Sequence, residues 1–165
     1  MIAVSNTTPL RYLIAIGQER VLANLFDKVL VPHAVHEELT DPRTPEFVRG
    51  RVLSRPAWYE VRTVSENQTI PVPVLLHRGE LQAILLAEEV KPDILLIDDQ
   101  AGRKIALSRN IPLSGTLGVL ERADAVGLVD GFPEVLDSLA ESGFFVAEPL
   151  KQRMLKRHID RREKK

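Results

Sequence analysis

Five oxygen-bearing side chains are set at suggestive places along the chain: Asn6, Glu38, Glu80, Asp98 and Asp99. Asn6 follows the short apolar run IAVS (2–5). Glu38 and its neighbour Glu37 lie in HAVHEELT (33–40), directly after KVLVP (28–32). Glu80 sits in the first turn of RGELQAILLAEEV (78–90), and the two aspartates close DILLIDD (93–99). Each has a local explanation. A glutamate near a helix N-terminus favours the dipole, an aspartate before a helix can cap it, and Glu37 and Glu38 can face solvent. Together they form a set of carboxylates and one amide, the hard oxygen donors that suit Mg²⁺ and Mn²⁺. Two carboxylates about 5 Å apart repel by roughly 3 kcal/mol at an effective dielectric of about 20. Three that converge therefore need a cation or a proton to offset them.

Convergence depends on the elements that carry these residues. Strand-like runs alternate with helical ones. IAVS (2–5), KVLVP (28–32), WYEVRTV (58–64), DILLIDD (93–99) and Ile111-Pro112-Leu113 read as strands, with 58–64 at an edge. Between them PLRYLIAIG (9–17), residues 18–26, 33–40, 47–53, 78–90 and 100–110 read as helices, with Gly17 as a break. Thr8 before Pro9 reads as a helix cap followed by proline at the first helical position. Leu81, Ile84 and Leu85 share one face at helical spacing. Thr116 reads as the cap of LGVLERADAVG (117–127), and two further helices are expected near 134–141 and 150–162. ENQTIPVP (66–73) reads as a turn-rich loop. Strands alternating with helices of about ten residues predict an α/β fold with a mainly parallel sheet, and the unbroken ILLI centre of 94–97 suits a strand covered on both faces. In such sheets functional groups gather beyond the carboxyl ends of the strands, where Asn6, Asp98 and Asp99 are expected.

With 165 residues and 44% hydrophobic composition, the chain fits one domain, residues 1–165, able to bury a sizeable core. No apolar run is long enough to span a bilayer, and MIAVSNTT lacks the features of a signal peptide. The absence of cysteine excludes disulfides, thiolate metal sites and cysteine nucleophiles, and fits a cytoplasmic protein. Charge is unevenly spread. Residues 150–165 form a basic C-terminal helix or tail of net +6, which leaves −7 for the rest of a chain whose total is −1. Such a tail either attracts a polyanion or is a solvated helix end suited to the dipole. The histidines His33, His36, His77 and His158 show no ligand spacing with the acids and are read as bystanders.

VSNTTPLRYLIAIG, VPHAVHEEL, RGELQAILLA, LLIDDQAGRKIA and SGTLGVLERADAVGL, in that order, resemble the PIN-domain superfamily over about residues 2–147. The nearest branch is that of predicted nucleic-acid-binding PIN-like proteins related to VapC-type toxins. The resemblance implies a Rossmann-like α/β/α sandwich with a central parallel sheet. It implies a metal-dependent ribonuclease holding one or two Mg²⁺ or Mn²⁺ ions among acidic residues. Asn6 stands where the family's first aspartate usually does. Glu38 matches the second acid, with Glu37 a weaker alternative; Glu80 matches the third; Asp98 and Asp99 match the last position, either being the inner one. On this reading Glu80 and Asp98 hold the ion, Glu38 holds it or a bound water, Asp99 orients the nucleophile and Asn6 offers a neutral carbonyl oxygen. Arg103 and Lys104 are placed to contact phosphate or simply to cover a helix surface. The resemblance also implies RNA as substrate, a small antitoxin as partner, and a homodimer.

Two other functions compete. Asn6, which removes one charge from the metal shell, favours a PIN-fold module that binds RNA or a protein without cutting. A phospho-receiver domain also sets acids at strand ends, but its acidic pair normally stands near the first strand, where this chain has Asn6.

Overall fold

The computed structural model describes residues 1–65 and 76–165, and the loop expected at 66–73 lies outside them. Five strands, β1 (Ile2–Ser5), β2 (Lys28–Pro32), β3 (Tyr59–Arg62), β4 (Ile94–Leu96) and β5 (Leu113–Ser114), form one sheet in the order β3-β2-β1-β4-β5. Every pairing is parallel. β3 is an edge strand, as its alternating sequence suggests. Nine helices among the described residues flank the sheet: α1 (Thr7–Ala15), α2 (Glu19–Leu25), α3 (His33–Leu39), α4 (Glu46–Leu53), α5 (Arg78–Val90), α6 (Gln100–Ser108), α7 (Thr116–Ala125), α8 (Phe132–Glu141) and α9 (Glu148–Glu163).

Because side chains alternate across a strand, the apolar strands feed two separate cores. Ala3, Val29, Val31 and Leu96 point to one face, where they pack with Leu10 and Leu13 of α1, Leu22 of α2, Leu120 of α7, Phe132 of α8 and Met154 of α9. Val4, Leu30, Leu95 and Ile97 point to the other, against Ile84 and Leu86 of α5 and Ala106 of α6. The result is an α/β/α sandwich. Each fully buried leucine or isoleucine contributes roughly 1.5–3 kcal/mol relative to exposure, and both faces need covering, which is why the strands carry continuous apolar runs. Among the described residues no helix is long and apolar enough to cross a membrane.

The strand order reverses at β1. The chain builds outward through β2 and β3, then returns to place β4 on the other side of β1. Val4 faces Leu30 of β2 and Leu95 of β4, and beyond the ladder the Asn6 amide donates to the Leu96 carbonyl at 3.0 Å. Asn6 thus stands at the carboxyl edge of the sheet, at the topological switch point where open α/β sheets leave a crevice.

Two helix starts differ from the sequence expectation. α1 begins at Thr7 with Asn6 as its N-cap, so Pro9 occupies the third helical position and not the first. Proline is tolerated there because the first-turn amides have no carbonyl partner within the helix. α7 begins at Thr116 with Gly115 as its N-cap, and the Thr116 side chain is used elsewhere. The last strand is also displaced, to Leu113–Ser114, since its register is set by pairing with β4 and not by its own apolar residues.

The basic C-terminal segment is a helix, α9, docked through Leu150, Met154 and Leu155 on the α1/α7/α8 side. Of the two roles open to a basic tail, attraction of a polyanion or a solvated end, neither describes its C-terminal half, which is paired with acids. α7 starts beside Asp98 at the carboxyl ends of the strands and runs the length of the sheet, so that Arg122 meets the Met1 sulfur at its other end. The C-terminal half of α9 docks on that far half. Arg157 binds Glu121 through two nitrogens, Arg161 and His158 meet Asp124, and Lys151 pairs with Asp137. His158 is buried and stacks on Phe132 at 5.2 Å. Lys151, Arg157 and Arg161 are thus paired with acidic partners on α7 and α8.

Candidate functional site

Asn6 is 4% exposed, and its Oδ1 is a buried acceptor with no hydrogen-bond partner. The local sequence explains why. An N-cap asparagine ordinarily accepts from the amide of the second or third helical residue. The third residue of α1 is Pro9, which has no N–H. The side chain makes no cap bond and is left at the wall of a cleft of about 360 Å³ that Glu38, His77, Glu80, Thr7, Thr8, Arg11 and Tyr12 also line. An orphaned buried acceptor costs roughly 1–3 kcal/mol, so its place beside two carboxylates fits an oxygen-seeking partner.

Glu38 reaches the cleft from the end of α3. One carboxylate oxygen accepts from the Thr7 hydroxyl, and its backbone carbonyl accepts from Thr44 Oγ1 at 2.7 Å. Its other oxygen lies against Gly79: a Cβ built on that glycine would stand 2.6 Å from Glu38 Oε1. The glycine before Glu80 is thus what lets α5 bring Glu80 up to Glu38. Glu37 is turned away, to Arg78 at 3.0 Å and His33 at 3.1 Å, and does not line the cleft.

Glu80, in the first turn of α5, is half-buried. Burial holds its carboxyl above the ordinary value, and the charges of Asp99 and Glu38 push the same way. The chain therefore gathers negative charge here at an energetic cost. Asp99 caps α6, its Oδ2 accepting from the Gly102 amide at 3.0 Å, and its charge is one of those that raise the Glu80 carboxyl. Asp98 is engaged differently. Its Oδ1 accepts from the Thr116 amide at 2.8 Å and its Oδ2 from the Thr116 hydroxyl at 2.6 Å. Burial raises its pKa, and the two Thr116 bonds oppose the rise. Asp98 thereby ties the end of β4 to the start of α7, in space left by Gly115, where a Cβ would fall 2.5 Å from Asp98 Oδ1.

The structure thus brings Asn6, Glu38 and Glu80 together with Asp99 close by, and sets Asp98 on the α7 side. Among the described residues no three His, Asp or Glu side chains stand near enough to one another to share an ion as they are held. Each carboxylate but Glu80 is instead fastened to a hydroxyl or amide. The donors still fit a hard divalent cation in kind, the strongest sign being the unpartnered amide oxygen of Asn6.

Several contributors are not apparent from local sequence. His77 lines the cleft, contrary to its reading as a bystander. His33, His36 and His158 instead meet Glu37, Tyr59 and Asp124. Arg103 bonds the Ile97 carbonyl at 3.1 Å and braces the β4–α6 turn, so its role is structural. Thr7 and Thr116 act through hydroxyls on Glu38 and Asp98. The available signals were the double threonine after Asn6 and the glycines before Glu80 and Thr116, small residues where backbone must approach a carboxylate closely.

A family model described as a PIN domain matches residues 2–160. The match runs through most of α9, beyond the 2–147 that the motifs cover. No curated protein matches the chain.

Proposed function

Since the chain belongs to the PIN-domain family, a nuclease-type fold, we propose that it is a metal-dependent ribonuclease whose site is the cleft at the carboxyl end of β1. The observation that carries this reading is the buried Asn6, its Oδ1 unpartnered, in the wall of the cleft that Glu38 and Glu80 also line. Asn6, Glu38, Glu80 and Asp99 would hold Mg²⁺ or Mn²⁺. A bound ion would supply Lewis-acid charge neutralisation and an activated water. The chain's own groups do the rest. Thr7 fixes the Glu38 carboxylate, and Asp99 is held in place by its capping bond to Gly102. Asp98 is assigned to positioning, through Thr116, and not to the ion. The family resemblance supplies the proposed partners, a small antitoxin and a second copy of the chain.

The test is cleavage of an unstructured RNA with Mn²⁺, with EDTA, and by Glu80→Gln. Cleavage that needs Mn²⁺ and is lost in Glu80→Gln is expected. One observation favours a second reading, a module that binds without cutting: the neutral Asn6 leaves the metal shell one charge short. RNA that binds but stays intact with Mn²⁺ would establish that module and end the nuclease reading.

A further inference from the structure

The cleft is acidic, and its proposed substrate is a polyanion. Glu38 and Glu80 line it and the charge of Asp99 acts on Glu80 from beside it, so these three carboxylates with one divalent ion would carry a net charge of −1 before any phosphate arrives. A phosphodiester needs a cation to offset that charge. Most nearby cations are already committed. Arg43 donates through Nε and Nη2 to Asp41 at 2.9 and 3.1 Å, Arg78 pairs with Glu37, and Arg103 bonds the Ile97 carbonyl. Arg157 and Arg161 of α9 pair with Glu121 and Asp124, on the half of α7 away from the cleft.

Arg11 is different. It is exposed on α1, one turn beyond Asn6, with its guanidinium carbon 5.9 Å from the centre of the Tyr12 ring. Among the described residues it makes no ion pair and no side-chain hydrogen bond. It also lines two hollows at once. One is the cleft of Asn6, Glu38 and Glu80. The other, of about 240 Å³, holds Thr7, Glu38, Asp41, Arg43 and Thr44. Arg11, Thr7 and Glu38 are common to both, so a strand leaving the cleft across Thr7 passes Arg11.

We propose that Arg11 binds a backbone phosphate of the nucleic-acid strand as it leaves the acidic cleft, and so supplies the positive charge that lets a polyanion approach the carboxylates. The inference rests on the cleft being the phosphodiester site. A guanidinium presents a planar fork of donors that matches phosphate, and the Tyr12 ring beside it limits the positions it explores. Because the contact is to phosphate, it carries no preference between RNA and DNA.

The experiment measures binding of a labelled oligouridylate, and of an oligodeoxythymidylate of equal length, across a salt series with Ca²⁺ as the divalent ion. The proteins are the wild type, Arg11→Gln, Arg11→Lys and, as a control beside Asp124 and Gly127 at the far end of α7, Arg162→Gln. Mn²⁺ affinity is measured in parallel by calorimetry. Arg11→Gln should lose roughly tenfold in affinity for both strands, with the log–log salt slope shallower by about 0.7. Arg11→Lys should recover most of the slope, and Arg162→Gln should match the wild type. Mn²⁺ affinity should hold or rise in Arg11→Gln, since a like charge has left the cation's neighbourhood; a fall in both affinities would mean a structural defect and overturn the assignment. An unchanged slope in Arg11→Gln overturns it too, whatever the metal titration shows. A wild type that takes Mn²⁺ but no oligonucleotide overturns the Arg11 contact and leaves the metal site standing. A wild type that takes no Mn²⁺, yet binds strands through Arg11, removes the metal reading and supports the contact.

Discussion

The carboxylate of Glu38 occupies the space that a side chain on Gly79 would need: a Cβ there would lie 2.6 Å from Glu38 Oε1. Two elements far apart in sequence, the end of α3 and the first turn of α5, approach closely at that point because one residue has no Cβ. Glu80 follows Gly79 directly, so the same glycine sets the spacing of the two acids.

Gly79→Ala therefore tests the site without testing the fold. The obstructing atom is the end of a flexible, exposed side chain, which can swing away. Gly79 is the second residue of α5, where the gain from alanine is smaller than the roughly 0.5–1 kcal/mol of a helix interior. The melting temperature should hold or rise slightly. Mn²⁺ affinity should fall, by about tenfold, because Glu38 must leave its place. A variant with wild-type metal affinity would show that Glu38 is not a ligand.

Asn6→Asp asks whether the orphaned amide oxygen belongs to the cleft. A further carboxylate beside Glu38 and Glu80 adds like-charge repulsion, so without metal the variant should melt earlier. With Mn²⁺ the added charge should tighten binding by roughly 1–3 kcal/mol, on the order of ten- to a hundredfold. Paired melts and a calorimetric titration read both effects. Equal metal affinity in the two proteins would assign Asn6 to the turn alone.

The paired aspartates should separate under amide substitution. Asn caps a helix about as well as Asp, so Asp99→Asn should keep the Gly102 bond and the stability while weakening Mn²⁺ binding. Asp98 accepts two bonds from Thr116, and hydrogen bonds to a charged group contribute about 1.5–3 kcal/mol each. An asparagine has one acceptor oxygen to replace two, so Asp98→Asn should cost on the order of 1–3 kcal/mol with a smaller change in metal affinity. Thr116→Val should produce the same stability loss. The reverse pattern would return Asp98 to the ion.

Arg157 holds the Glu121 carboxyl below its ordinary value of 4.5, chiefly by hydrogen bonding. A depressed carboxylate pKa contributes stability that is present above the ordinary value and is lost as pH falls through the lowered one. Both side chains are partly exposed, which limits the effect to about 0.2–1 kcal/mol. Arg157→Gln should therefore be the less stable protein at pH 7, and the difference should shrink as pH drops below about 4.5 and vanish once Glu121 is protonated. A difference that persists in acid would place the contribution in packing of α9.

The sequence by itself determined what depends on short-range pattern. Alternating strands and helices, with apolar runs at Ile2–Ser5, Lys28–Pro32 and Ile94–Leu96, dictate a parallel sheet covered on both faces, because only burial on both sides accommodates such runs. The order of the motifs carried the family. The tertiary structure decided where side chains point. Pro9 at the third helical position, not the first, removes one of the two amides that could cap onto Asn6, whose side chain makes no cap bond, and that depends on where α1 starts against the sheet. Asp98 and Asp99 are adjacent and chemically identical. They separate only because Thr116, eighteen residues on, supplies donors to one while the first turn of α6 captures the other. The basic helix reads as an RNA-binding arm until Glu121 and Asp124 are found beneath it at the far end of α7. Charge composition fixes how many cations the chain has, while long-range packing fixes which are neutralised and which, like Arg11, stay open to solvent at the mouth of the cleft.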